Sequence, residues 1–142
     1  AARKSDALIM AAAVSDFRPA SASAHKIKRG HDPLTLALEP TDDILRAVAE
    51  GGSKAGRPRV VVGFAAESQD LVANASAKLK AKGLSFIVAN DITAPDAGFS
   101  VDTNQVTLIG SDGAVQAMPV MSKAGVAEVV LDHMVQLLAA GG

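Results

Sequence analysis

A chain of 142 residues with a formal net charge of −1, 49% apolar residues and no cysteine has one domain's worth of residues and can bury a real core. That charge balance gives no electrostatic footprint for nucleic acid or an anionic membrane, and without cysteine there is neither a disulfide framework nor thiol catalysis by this chain. No apolar run reaches the roughly 18 residues of a membrane span and no signal peptide is visible. The expectation is a cytoplasmic protein with no nucleic-acid and no membrane partner.

Ala1 to Asp6, A-A-R-K-S-D, reads as the last turn of a helix running into a strand, with no initiator Met. An open α/β sheet entered in mid-helix implies a fragment or trimmed chain lacking its N-terminal strands. Ala7 to Ala13 is apolar at every position, the pattern of a central parallel strand covered on both faces. Its alanines let the backbone approach something closely, and Val14-Ser15-Asp16-Phe17 turns out of the sheet. Ala20 to Ala24 has neither helical nor strand period and leads into His25-Lys26-Ile27-Lys28-Arg29. A strand delivering an acid at its end, then a loop carrying lysines, has the parts of a site for a phosphorylated ligand. A sheet strand followed by a solvated basic loop reads the same way.

Pro33 to Leu38 alternates weakly and is expected as a short edge strand. Thr41-Asp42-Asp43 is a helix start, with Thr41 as cap, two acids at the positive end of the dipole, and Ile44, Leu45 and Val48 as the buried stripe. Gly51-Gly52 ends that helix. Arg59 to Glu67 is a second apolar strand ending in an acid. The spacing predicts a helix over 70–82, with Leu71, Ala75 and Leu79 on one face, Lys78 and Lys82 four apart on another, and Gly83 as C-cap. Leu84 to Asp91 is a third buried strand, which completes a parallel βαβ unit. Ile92 to Ser100 is a loop. Gln105 to Gly110 and Ala114 to Pro119 flank Ser111-Asp112-Gly113 as an antiparallel hairpin. Ser122 caps a last helix that buries Val126, Val129, Val130, Met134 and Leu137. The fold class is therefore α/β: a Rossmann-like three-layer sandwich, residues 1–142 forming a single domain, with a mostly parallel sheet and a C-terminal antiparallel hairpin.

Three strands end in Asp16, Glu67 and Asn90-Asp91, and ligands of open α/β sheets sit outside the carboxyl ends of the strands. Lys26 and Lys28 from the loop, and Lys78 and Lys82 from the helix, can meet the same edge. Lysines one helical turn apart can grip a polyphosphate as point charges, although a solvated basic face has the same pattern. The helix start at Asp42 carries its own acids and suits a nucleobase or ribose better than an anion. There is no Walker loop, no Gly-x-Gly-x-x-Gly after a strand, no nucleophile elbow, and no metal-ligand spacing among His25, His31 and His133. The residues alone reach a nucleotide-binding type of α/β domain with an anionic ligand, its reaction open.

At these same residues the chain resembles a known family. A-A-A-V-S-D-F-R-P at Ala11 to Pro19, H-K-I-K-R at His25 to Arg29, T-D-D-I-L at Thr41 to Leu45, V-V-G-F-A-A-E-S at Val61 to Ser68 and A-K-L-K-A-K-G at Ala77 to Gly83 occur in one order. With V-A-N-D at Val88 to Asp91 and F-S-V-D-T-N-Q-V at Phe99 to Val106, they resemble bacterial phosphopantothenoylcysteine synthetase, over essentially the whole chain. The resemblance implies a ligase of coenzyme A biosynthesis. It activates 4′-phosphopantothenate with CTP as an acyl-cytidylate, with Mg²⁺ as cofactor, then couples it to cysteine with release of CMP.

It further implies that Lys26 lies on a flexible flap as the catalytic lysine, and that Lys78 and Lys82 are nucleotide-phosphate ligands. Ala11, Ala12, Asp16, Asp42, Asp43, Ile44, Leu45 and Phe64 would complete the nucleotide site, Phe64 lining the base pocket. The K-I-K form of the flap favours CTP over ATP. A homodimer, with Phe99 to Pro119 near the partner, and fusion to an upstream flavin-dependent decarboxylase are expected on the same ground. The family's N-terminal half is absent, so poor turnover by this chain alone is expected. A non-catalytic nucleotide-binding or dimerisation module of the same fold is the alternative. A Rossmann-type dehydrogenase fragment is disfavoured, because no Gly-rich turn precedes a ribose-binding acid.

Overall fold

The computed structural model describes residues 5–29, 33–51, 56–93 and 102–141. Its main sheet has five strands in the order β1-β4-β5-β7-β8, formed by Ala7–Met10 (β1), Val60–Glu67 (β4), Phe86–Asp91 (β5), Val106–Gly110 (β7) and Val115–Ala117 (β8). The first three run parallel, while β7 and β8 run antiparallel to their neighbours. β2 (Phe17–Pro19) pairs antiparallel with β3 (Leu38–Pro40), and β6 (Thr103–Asn104) with β9 (Met121–Ser122). The helices are α1 (Ile44–Glu50), α2 (Leu71–Lys82) and α3 (Lys123–Ala140).

Two apolar layers follow from the period of two along each strand. Val61, Ala65, Ile87 and Ala89 pack with Leu45 of α1 and with Ala75 and Leu79 of α2. Val60, Val62, Phe86 and Val88 face the other way, onto Val126 and Val130 of α3. The three-layer α/β arrangement is thus the expected one. α2 ends where expected, at Gly83 in the left-handed region (φ 58°), and the Ser122 side chain caps α3 by accepting from the Gly125 N–H at 3.1 Å. The hairpin forms around Gly113 at φ 88°.

Several expectations are corrected. The first strand stops at Met10 and is only half-buried, with β4 its only partner among the described residues; Ala11, Ala12 and Ala13 are exposed. The edge strand expected at Pro33 to Leu38 lies instead at Leu38–Pro40, where Phe17–Pro19 gives it a partner. Asp43 rather than Thr41 caps α1, its Oδ1 accepting from the Arg46 N–H at 3.1 Å; the Thr41 hydroxyl donates to the Ser15 carbonyl at 2.5 Å. Ile44 is consequently turned outward and exposed, and Leu45 alone in α1 is buried. Gly52 and most of the loop expected at Ile92 to Ser100 lie outside the described residues.

Candidate functional site

The C-terminal end of β1, beside the middle of β4, opens into a cleft of about 180 Å³. The β2–β3 pairing is what closes its far wall. Phe17 stands opposite Pro40, so the turn after β1 lies beside the segment before α1, and the Thr41 N–H donates to the Asp16 carbonyl at 2.9 Å. Together with the Thr41 hydroxyl bond to Ser15, this clamps two stretches that lie 26 residues apart at Ser15 and Thr41. Asp16, Asp42, Asp43 and Ile44 line the cleft with Leu45 beneath them; Ala12 comes from beyond β1, Phe64 from β4 and Lys82 from α2.

The lining is acid-rich, with Asp16, Asp42 and Asp43 against Lys82. Lys82 approaches Asp43 Oδ2 at 3.6 Å, and both side chains are about a third exposed or more, so the pair is loose and screened. Asp43 thus serves two groups, the α1 backbone through Oδ1 and the Lys82 ammonium through Oδ2. Phe64 is 43% exposed and borders both this cleft and the apolar groove on the α3 side of the sheet. Acids suited to hydroxyl and amino groups, an exposed aromatic ring and one reachable cation are what a nucleoside with an anionic tail requires.

Eight of the eleven site residues expected from the sequence therefore share one cleft: Ala12, Asp16, Asp42, Asp43, Ile44, Leu45, Phe64 and Lys82. The other three do not line it. Ala11 lines an apolar groove between β1 and α3 that also holds Ile9, Phe64 and Leu131. Lys26 is exposed on an irregular segment. Lys78 is drawn to Glu67 at the end of β4, Nζ to Oε1 2.7 Å. Glu67 is buried, at 8% exposure, and its partnership with Lys78 was not expected. The signal was available: an acid continuing the core-facing alternation of Val61 and Ala65 must sit under α2, where Lys78 is on hand. Among the described residues, no group of three metal-ligating side chains converges.

A mixed, mostly parallel sheet between helical layers, with a polar cleft beyond the end of β1, defines the class, a Rossmann-like α/β domain. The chain belongs to the family described as DNA/pantothenate metabolism flavoprotein C-terminal domain, which matches residues 1–138. It is 43% identical over 133 residues to the coenzyme A biosynthesis bifunctional protein CoaBC of Bacillus subtilis, covering 94% of this chain and 32% of that protein. It is 39% identical over 136 residues to a cysteine/cysteine sulfinic acid decarboxylase from an unknown prokaryotic organism, covering 96% of this chain and 37% of that one. The chain thus spans about a third of the length of these relatives. The crystal structure of a C-terminal domain of CoaBC superposes with a TM-score of 0.71 at 31% identity, over 95% of this chain and 56% of that one. A DNA/pantothenate metabolism flavoprotein from Streptococcus pneumoniae has the same fold at 22% identity, with a TM-score of 0.72 over 95% of this chain and 65% of that one.

Proposed function

We propose that this chain carries the nucleotide site of a phosphopantothenate–cysteine ligase of coenzyme A biosynthesis, residues 1–142 being part of its synthetase domain. The observation that supports the reading best is the convergence of Asp16, Asp42, Asp43, Phe64 and Lys82 beyond the end of β1 in a chain so similar to a coenzyme A biosynthesis protein. In this reading Phe64 packs on the cytosine of CTP. Asp42 and Asp43 accept from the polar edges of the nucleoside, and Lys82 leaves its loose contact with Asp43 for a phosphate oxygen. Lys26, on its exposed segment, folds over the α-phosphate and offsets the charge that develops there.

The carboxylate oxygen of 4′-phosphopantothenate attacks the α-phosphorus. The bond to the bridging oxygen breaks, and pyrophosphate leaves. The cysteine nitrogen then attacks the acyl carbon, the C–O bond to the cytidylate breaks, CMP departs, and the amine loses a proton as the amide forms. The described residues build no dedicated metal cage, so Mg²⁺ would arrive with the nucleotide phosphates, which are its usual ligands. A cytoplasmic homodimer and an upstream decarboxylase partner on the same polypeptide belong to this reading.

Calorimetric titration with CTP and with ATP, each with Mg²⁺, tests it. Saturable binding that favours CTP is expected. Preference for ATP would remove CTP as the substrate, and no binding of either nucleotide would sink the assignment of the site to this chain.

A further inference from the structure

Glu67 has no part in the cleft. Continuing the inward alternation of Val61 and Ala65 on β4, it sits under α2, and its side chain is 9% exposed. Its Oε1 is shielded from solvent and lacks a well-angled hydrogen bond, so the Lys78 ammonium at 2.7 Å is its counter-charge. The strand neighbour Asp91 stands opposite Glu67 in register, and its own Oδ1 accepts from the Thr93 N–H and hydroxyl. A buried carboxylate held by one ammonium is not a favourable way to stabilise a core, since an apolar residue of similar size often serves as well or better. Lys78 for its part is half exposed. Its ammonium meets the buried acid at the end of β4, and Lys82 stands one turn further along the same helix.

We propose that Glu67 is a positioning residue that presents Lys78 to the polyphosphate of a bound nucleoside triphosphate. An unpaired lysine samples many rotamers, and ordering them opposes binding. With one N–H fixed on Glu67, the half-exposed side chain keeps its remaining donors for a ligand, and the ordering is done before the ligand arrives. The two lysines then differ in kind: Lys82 is recruited from a loose contact at 3.6 Å, whereas Lys78 is pre-set. The inference rests on the nucleotide reading above and adds to it a group that never touches the ligand.

Calorimetric titration of the whole chain with CTP and with cytidine, in wild type and in Glu67→Gln, Lys78→Met and the double variant, tests it. Glu67→Gln is close to isosteric, and the double variant leaves no buried carboxylate without its counter-ion, so the set stays readable if one single variant folds poorly. Glu67→Gln and Lys78→Met are each expected to weaken CTP about tenfold, the effect of losing one well-placed charge-assisted contact. Cytidine, which has no phosphate, should bind as before. On the Glu67→Gln background, Lys78→Met should add less than about twofold, because both changes remove the same presented ammonium. CTP affinity unchanged in Glu67→Gln beside a wild type that binds CTP would overturn the positioning role alone. A wild type that binds no nucleotide would overturn this role and the nucleotide reading together.

Discussion

At the scale of single residues, Asp43 shows how local chemistry and site chemistry meet in one side chain. Its Oδ1 caps α1 and its Oδ2 lies near Lys82. Asp43→Ala removes both roles and is expected to cost about 1 kcal/mol of stability, the usual value of an N-cap. Asp43→Asn keeps the cap and removes the charge, so it should hold its thermal midpoint close to that of wild type while changing nucleotide affinity; equal midpoints for both variants would refute the capping role. Lys26 behaves differently, because it is exposed and outside regular structure. Lys26→Gln should shift stability by less than about 0.5 kcal/mol, and in a polypeptide extended upstream it should cut cytidylyl transfer strongly. Surviving transfer would remove Lys26 from the catalytic role.

At the scale of elements, the helix ends and the hairpin carry the sharpest backbone requirements. Gly83 stops α2 with φ at 58°, its N–H reaching back to Leu79 and Lys80, and a Cβ there would come within 3.2 Å of the Arg57 guanidinium. Arg57 also donates to the Gly83 carbonyl, so a side chain at this position disturbs two contacts at once. Gly113 has φ at 88°, and a Cβ added there would meet nothing within 4 Å, so only backbone strain opposes substitution. Gly83→Ala is expected to cost about 1–2 kcal/mol through the left-handed conformation and to exceed Gly113→Ala. Chemical denaturation of the two variants checks the order. These elements were legible in the sequence: β4, α2, β5, the hairpin and α3 all fall within a few residues of their expected bounds. The strand–turn–helix signals that mark them are local, set by period, caps and glycines.

At the scale of the whole molecule, two phenylalanines separate what folds the chain from what the cleft uses. Phe86 is fully buried between the sheet and α3, with its ring edge-on to His133 at 4.7 Å. Phe86→Ala should cost about 3–5 kcal/mol by leaving a cavity in the inner layer. Phe64 lies on the adjacent strand but is 43% exposed. Phe64→Ala should cost less than about 1.5 kcal/mol, a fraction of the full burial value, and should weaken CTP far more than it weakens the fold. If the two substitutions destabilised the protein equally, Phe64 would be a core residue and not a wall of the cleft.

The order of the motifs and the alternation of the strands are properties of the linear chain, because a helix or strand face is decided by neighbours two to four residues away. From them came the α/β class, the three layers and the last helix with its inward face. Three things depended on tertiary structure. The length of β1 follows from where it pairs with β4, and a run of apolar residues reads the same whether or not it pairs to its end. The clamp of Ser15 and Asp16 onto Thr41 follows from the β2–β3 pairing, a contact between segments whose weak alternation announces no partner. Finally, Lys78 and Lys82 share one helical spacing and one expected role, and only their surroundings part them. A buried carboxylate at 2.7 Å holds the first, while an exposed one at 3.6 Å leaves the second free to move, since an ion pair's strength is set by its desolvation and geometry and not by its place in the sequence.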